Sequence, residues 1–435
     1  MAHNTTYDVF DILPKKQKIF WGIEGMSREE IHSILIKGDP DYYCGLSARK
    51  RKEFQKYMVV VTYPGDRKTR YGINNKGRLF HYFPVDTDVY EGCGAWQADS
   101  TEKWHFVYRG FYKYLTRIIG WLRTGKKKDA LISMAGLFHI LQDQCCFFHS
   151  LEGEEGCSQW ILDELIEKPD RCLLNPTALI GETHIPVNLK DYNPVLLGTD
   201  IEEICFHLYN RYRQVKSANR KKLIPLVQAE YLKDTEAVYK IKKSIIKEAG
   251  ELVYDLIYTI YCVATSSFRK TDLKKLERIY LSDIKPVNYP RHSSFPYRVN
   301  TPVYNYAIGE RGERYPLSIL IRKEGKLEEY RFNKGLAMGV HRELIISYAV
   351  PKKVFNRFHG YFGIHSRFIK EGSVKFEARF NGKTLLKEAL DRENPSVEID
   401  FCVREGGLLH FFIRAKGGLK ERCNNLILAE PCLIK

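Results

Sequence analysis

In the segment HILQDQCCFFH (139–149), two histidines and one aspartate close an otherwise apolar run. On a helix His139 and Asp143 stand one turn apart on a shared face, so an imidazole nitrogen and a carboxylate can meet one cation. Burial sharpens that reading. A buried carboxylate has to be paired, hydrogen-bonded, metal-bound or protonated, because an isolated charge away from water is strongly unfavourable. His149 falls off that face, but the following SLEGEEG (150–156) ends the helix and can turn it towards the same cleft. Spacing alone leaves three chemistries open: a hydrogen-bonded core cluster, a general acid–base pair and a metal site. His105, His184 and His207 are spare imidazoles that read first as hydrogen-bonded or surface residues. His32 lies in a helix opened by a capping box and reads as exposed.

Helices must position these groups, and the first two-thirds of the chain reads as helical. SREEIHSIL places Ser27 three residues before Glu30, a pattern in which each side chain satisfies an orphan backbone donor. Two helices are expected between 111 and 148, interrupted at RTGKKKD (123–129). The second, DALISMAGLFHILQDQCCFF, is apolar on nearly every face and is expected at the centre of a bundle. Further amphipathic helices are expected over 200–216 and 234–265.

The stretch 283–306 is rich in Pro, Asn and Ser, and beyond it the apolar period changes from helical to two. Val374, Phe376, Ala378 and Phe380 alternate with charged residues, as Val397, Ile399, Phe401 and Val403 alternate with largely polar ones, the mark of strands with one buried face. FNGK (380–383) carries an Asn-Gly hairpin signal. LSILIRK and LLHFFIRA supply further strands of an antiparallel sandwich. The chain therefore reads as multidomain: an all-α domain over 1–282, a linker over 283–311 and an all-β sandwich over 312–435.

A length of 435 residues exceeds the size at which one core keeps growing. The formal net charge of +16 favours anionic partners such as phosphate esters, nucleic acid or an acidic lipid surface. Two of its sources, RKRKEFQK (49–56) and RYRQVKSANRKK (211–222), read as solvated helix faces. The 11 cysteines lack the regular spacing of a disulfide framework or zinc ribbon and read as buried free thiols. No basic segment followed by an apolar run and a cleavage site opens the chain, so a cytoplasmic location is expected; a chain trimmed of its signal would read the same and be secreted. No stretch is long and uncharged enough to span a bilayer.

LFHILQDQCCFFH resembles the His-x-x-x-Asp-then-His segment of zinc-dependent phospholipases C, whose all-helical fold is shared with the single-strand-specific zinc nucleases. KYMVVVTYPGDRK (56–68) is similar to that family's helix ending in a metal-binding aspartate, which implies Asp66. LFHYFPVDTDVYEG (79–92) is similar to its histidine before an aromatic, Pro/Asp-rich turn, which implies His81. The resemblance thus implies one zinc held by Asp66, His81, His139 and Asp143, with Asp66 helping to deprotonate the attacking water, and His149 as a ligand of a second zinc.

Several positions depart from the pattern. The family's proline two residues before the last histidine is Phe147. Its following His-x-x-x-Glu is matched only by Gln159 and Asp163 of QWILD, and KQKIFWGIEG carries no early histidine.

NKGLAMGVH (333–341), HGYFGIH (359–365), GSVKFEARFNGKTLL (372–386) and GGLLHFFIRAKGG (406–418) resemble, in order, motifs of the β-sandwich described as a novel carbohydrate-binding module. Its glycines read as turn residues. Together the two resemblances imply a zinc-dependent phosphoric-ester hydrolase of the phospholipase C type, held to a glycan or membrane surface by the sandwich. The alternatives are a single-strand nuclease of the same helical fold and a non-catalytic zinc-containing binding protein, with phospholipid ahead of nucleic acid as substrate.

Overall fold

The computed structural model describes residues 3–61, 78–79, 100–143, 185–287, 302–309, 312–340, 343–369, 373–416 and 423–435. The chain forms two compact units, Met1–Asp272 and Leu273–Lys435.

Unit 1 contains helices α1 (His3–Ile12), α2 (Lys15–Trp21), α3 (Arg28–Leu35), α4 (Pro40–Gly45), α5 (Ala48–Phe54), α6 (Ser100–Arg123), α7 (Lys127–Asp143), α8 (Ile201–Arg220), α9 (Leu223–Tyr231) and α10 (Thr235–Thr265); α11 (Lys270–Leu276) crosses the boundary. Side chains start several of them. Ser27 and Glu30 form the expected capping box on α3. Asp39, Asp200 and Asp234 each accept a backbone N–H in the first turn of α4, α8 and α10, which satisfies orphan donors and places negative charge at the positive helix end.

The expected break between the central helices falls at Gly125, whose φ is +74°. Helix α7 is central, as its apolar surface requires: every residue from Ala130 to Gln142 is buried. It packs on α6, α3, α10 and the short 3₁₀ turn Ile36–Gly38. That turn lies backbone against backbone on α7. A Cβ on Gly38 would stand 1.7 Å from the Ile132 carbonyl oxygen, and one on Gly136 would stand 2.6 Å from Tyr114 Oη and 2.9 Å from the Gly38 oxygen.

Three expectations change in unit 1. It is not wholly α-helical, because β1 (Val60–Val61) and β2 (Arg78–Leu79) form a small antiparallel ladder. Helix α5 is solvated, with no buried residue, but the basic run of α8 is not: Arg213, Lys216 and Asn219 are buried. Of the described cysteines, all free, Cys205, Cys262 and Cys432 are buried while Cys44 and Cys402 are exposed.

Unit 2 is a β-sandwich. Its strands are β3 (Arg278–Tyr280), β4 (Val303–Tyr304), β5 (Ala307–Ile308), β6 (Arg314–Tyr315), β7 (Leu317–Lys323), β8 (Lys326–Phe332), β9 (Gly335–Val340), β10 (Glu343–Val350), β11 (Arg357–Ile364), β12 (Val374–Phe380), β13 (Lys383–Leu390), β14 (Ser396–Cys402), β15 (Gly407–Ala415) and β16 (Cys423–Ile434). One sheet runs β14-β11-β16-β9-β4 with β3 also on β16; the other runs β10-β15-β12-β13. The sheets meet through aromatic rings. Phe362 of β11 stacks on Phe376 of β12 at 4.1 Å between centroids, and Phe358 lies 5.6 Å from Phe411 of β15. The β7–β8 hairpin covers part of the outer face of the first sheet, where Leu317 and Ile319 pack on Ala337, Ile427 and Ala429.

The alternation expected for residues 373–380 is borne out by β12, where the four apolar side chains are buried. Asn381 and Gly382 both take positive φ, 51° and 79°, as the tight hairpin between β12 and β13 demands. The glycines of HGYFGIH do not serve turns. A Cβ on Gly360 would meet Pro431 Cα at 2.9 Å, and one on Gly363 would meet Ser396 Cβ at 2.9 Å, so they permit close strand approach. The segment expected as linker over 283–311 contains β4 and β5, and unit 2 begins ahead of it at Leu273.

Candidate metal centre

Of the residues expected to bind zinc, the structure describes the side chain of His139 alone; Asp66, His81 and His149 lie outside the described residues, as does the Asp143 side chain at the end of α7. His184, Gln159 and Asp163 and the His105 side chain lie outside them too. His139 is buried near the C-terminal end of the unit's central helix, where its imidazole meets two carboxylates that sequence spacing did not connect to it. Asp39 Oδ2 stands 3.1 Å from Nδ1, and Asp41 Oδ2 stands 3.6 Å from Nε2. Among the described residues Asp39, Asp41 and His139 form the one group of three potential ligands, with atoms within 4.8 Å of one another.

The positions follow from local structure. Asp39 is the N-cap of α4, before Pro40, and its Oδ1 accepts the Tyr42 N–H at 2.9 Å. Because the preceding Gly38 lies on the α7 backbone, the second carboxylate oxygen reaches His139. Asp41, two residues on, is 61% exposed and approaches the imidazole from the solvent side.

Electrostatics fixes the roles. An ionised carboxylate can only accept, so His139 Nδ1 carries the proton shared with Asp39. Nε2 then faces the Asp41 carboxylate across 3.6 Å, where the negative carboxylate favours a positive charge on or beside the imidazole. A proton on Nε2 answers that need, and so does a metal ion. Two ligands at about 2.0–2.2 Å from a tetrahedral ion stand roughly 3.3–3.6 Å apart, and the observed 3.6 Å between Nε2 and Oδ2 agrees. A carboxylate behind the second ring nitrogen is the usual support of a metal-binding imidazole. One imidazole and carboxylate oxygens suit zinc and other borderline divalent ions. Cys44 stands close enough for Asp41, Asp39 and His139 to act on its thiol, whose pKa desolvation pushes up.

His32 and His207 stand elsewhere. His32 is exposed as expected and pairs with Tyr7 Oη at 2.7 Å. His207 faces Glu203, one turn earlier on α8, at 3.9 Å; Glu203 in turn accepts from the Thr199 backbone N–H and hydroxyl. Asp39 carries a sequence signal after all, since Gly-Asp-Pro marks a helix N-cap, but that signal speaks of helix initiation and not of a partner a hundred residues away.

No family model matches the chain, and no curated protein matches it. Among solved structures it is similar to CBM51-2 in complex with GlcNAc and INT domains from Clostridium perfringens ZmpB, at 16% identity over 36% of this chain and 31% of that chain with a TM-score of 0.28. It is similar also to CBM51 from Clostridium perfringens GH95 in complex with methyl-galactose, at 14% identity over 36% of this chain and 99% of that one, TM-score 0.28. A third is the pair of tandem CBM51 modules of a family 98 glycoside hydrolase from Streptococcus pneumoniae SP3-BS71, at 20% identity over 36% and 47% of the two chains, TM-score 0.30. The chain spans less than half the length of the first and third of these structures.

Proposed function

We propose that unit 1 is a metal-dependent phosphoric-ester hydrolase, with zinc as the metal and phospholipid ahead of nucleic acid as substrate. The reading rests on one observation: a buried imidazole, held by Asp39, presents Nε2 to the exposed carboxylate of Asp41. Asp41 and His139 are the ligands in this reading, Asp39 orients the imidazole, and the positive charge of the chain attracts an anionic ester. A divalent ion bound there supplies a Lewis acid for a phosphoryl oxygen and lowers the pKa of a bound water. The resemblance adds Asp66, His81 and Asp143 as further ligands and Asp66 as the base.

The test is metal content followed by turnover. Protein reconstituted with zinc should hold about one ion per chain. Asp41→Asn, at an exposed position, should weaken binding about tenfold or more without altering the melting temperature of the metal-free protein, and Asp39→Asn should weaken it about 10–100-fold. Chelator-sensitive hydrolysis of an activated phosphodiester and of phosphatidylcholine micelles should exceed that of single-stranded DNA. Zinc retained in full by both variants would reject the site. Loaded protein with no turnover of any of the three substrates would leave a binding protein.

The sandwich is proposed as the attachment unit, with a glycan as its ligand, in line with the motif resemblance. A specific surface favours this. On the outer face of β11, His359 and Tyr361 lie ring to ring at 5.4 Å, and His359 Nε2 stands 3.1 Å from Glu398 Oε1. Lys323 sits over the Tyr330 ring at 4.8 Å on the adjoining hairpin, and both groups act on the Tyr361 hydroxyl. Half-buried aromatic rings beside charged hydrogen-bonding groups suit the apolar faces and hydroxyls of a sugar. Methyl-galactose and GlcNAc, followed by a glycan array, are the probes for the whole chain. Tyr361→Ala is expected to reduce binding about tenfold or more; unchanged binding would remove this surface from the reading.

A further inference from the structure

Helix α9 is apolar on both sides. Its inner side is accounted for: Leu226 and Ala229 are buried against Val215, Val238, Ile245 and Ala249. Its outer side is not. Ile224 and Tyr231, seven residues and two turns apart, share one face, and each is 76% exposed; Leu232, just past the helix end, is 64% exposed. Among the exposed large hydrophobic residues of the described part these three stand out, for no other there is above 56%. Around them the chain is basic. Residues 221–247 carry seven lysines against Glu230, Asp234 and Glu236, and Lys221, Lys233, Lys240, Lys243 and Lys247 are all exposed.

We propose that this exposed end of α9 docks on an anionic lipid surface. Two features point to lipid over a protein partner. Side chains exposed to this degree protrude beyond their surroundings, which suits entry into a fluid interface more than a fit against a rigid complement. The composition is also interfacial: two aliphatic residues for the acyl boundary, a tyrosine whose polar tip sits at headgroup level, and a lysine rim for anionic headgroups. The proposal rests on unit 1 alone and stands or falls independently of hydrolysis and of glycan binding.

The test is cosedimentation of the full chain with phosphatidylcholine vesicles made with and without phosphatidylserine. Binding is expected only with phosphatidylserine, and it should weaken as salt rises. The triple variant Ile224→Ser, Tyr231→Ser, Leu232→Ser should bind about tenfold more weakly or worse, with unchanged helical signal and melting temperature. Lys221→Glu with Lys233→Glu should also weaken binding, and serves as the test if the triple variant does not fold. Absence of phosphatidylserine-dependent binding, or equal binding by both variants, overturns the proposal. So does a concentration-dependent dimer abolished by the triple variant in a chain that ignores vesicles, which makes this end a self-association surface.

Discussion

Gly38→Ala is expected to destabilise unit 1 by about 3 kcal/mol, at the upper end for overpacking of a core, and to separate Asp39 from His139. The added Cβ would fall 1.7 Å from the Ile132 carbonyl oxygen, and that obstacle is the backbone of the central helix, which cannot rotate away. Either the 3₁₀ turn lifts off α7 or the helix shifts, and in both cases the carboxylate one residue later moves from its position behind the imidazole. Metal affinity should fall with stability. Gly136→Ala meets the Tyr114 hydroxyl at 2.6 Å and the Gly38 carbonyl oxygen only at 2.9 Å, and should cost less. Gly120→Ala is the control: nothing lies within 4 Å of its Cβ, it sits within α6, and the change should stabilise by about 0.5–1 kcal/mol. Denaturant unfolding of the three variants orders them. Equal stability for the Gly38 and Gly120 variants would mean that turn and helix do not touch.

Asp255 predicts an unusual acid response. Its carboxylate is fully buried on α10, where Oδ1 accepts from Tyr192 Oη at 2.9 Å and the Val195 N–H at 2.7 Å, while Oδ2 faces Arg211 Nε at 3.6 Å. Burial raises its pKa to about 6, and the hydrogen bonds and the guanidinium only partly oppose that rise. The native state therefore binds more protons than the unfolded chain between about pH 4 and pH 6. Stability attributable to this residue falls as pH rises through that window and is flat above it. The full fall across the window is about 3 kcal/mol. Asp255→Asn retains an acceptor for both donors and sheds the buried charge, so it should remove this slope and be at least as stable as the parent at pH 7. Asp255→Ala, which strips Tyr192, Val195 and Arg211 of their partner, should be less stable at every pH. Urea unfolding from pH 4 to 8 gives all three curves, and an Asn variant that keeps the parent's slope would refute the assignment.

The parts of the fold legible in the sequence are those with local causes. The capping box of α3, the buried run of α7, the alternation of β12 and the Asn-Gly hairpin each rest on residues within a few positions of one another. Strands β4 and β5, at two residues each, are too short to show a period of two, so Pro-, Asn- and Ser-rich sequence around them read as linker. Ladder β1–β2 escaped for the same reason. At the site, His139 was legible because an imidazole in a continuous apolar helix needs a partner. Asp143 was the partner that helical spacing offers. Asp39 comes from a different helix, brought there by a glycine contact that leaves no periodic trace, and Asp41 is an exposed acid like many others until its distance from Nε2 is known. The buried arginine and lysine of α8 show the same limit, since charge in a sequence reads as solvated.

Helix α10 has a mechanical consequence. Its 31 residues, at 1.5 Å of rise each, make a continuous rod about 46 Å long. It begins three residues after Leu232 and ends seven residues before the boundary at Asp272. Residues near its two ends, Val238 and Cys262, are thereby held about 36 Å apart by one element. The rod acts as a ruler within unit 1, so the residues packed near its two ends keep a separation that thermal bending of a loop cannot erase.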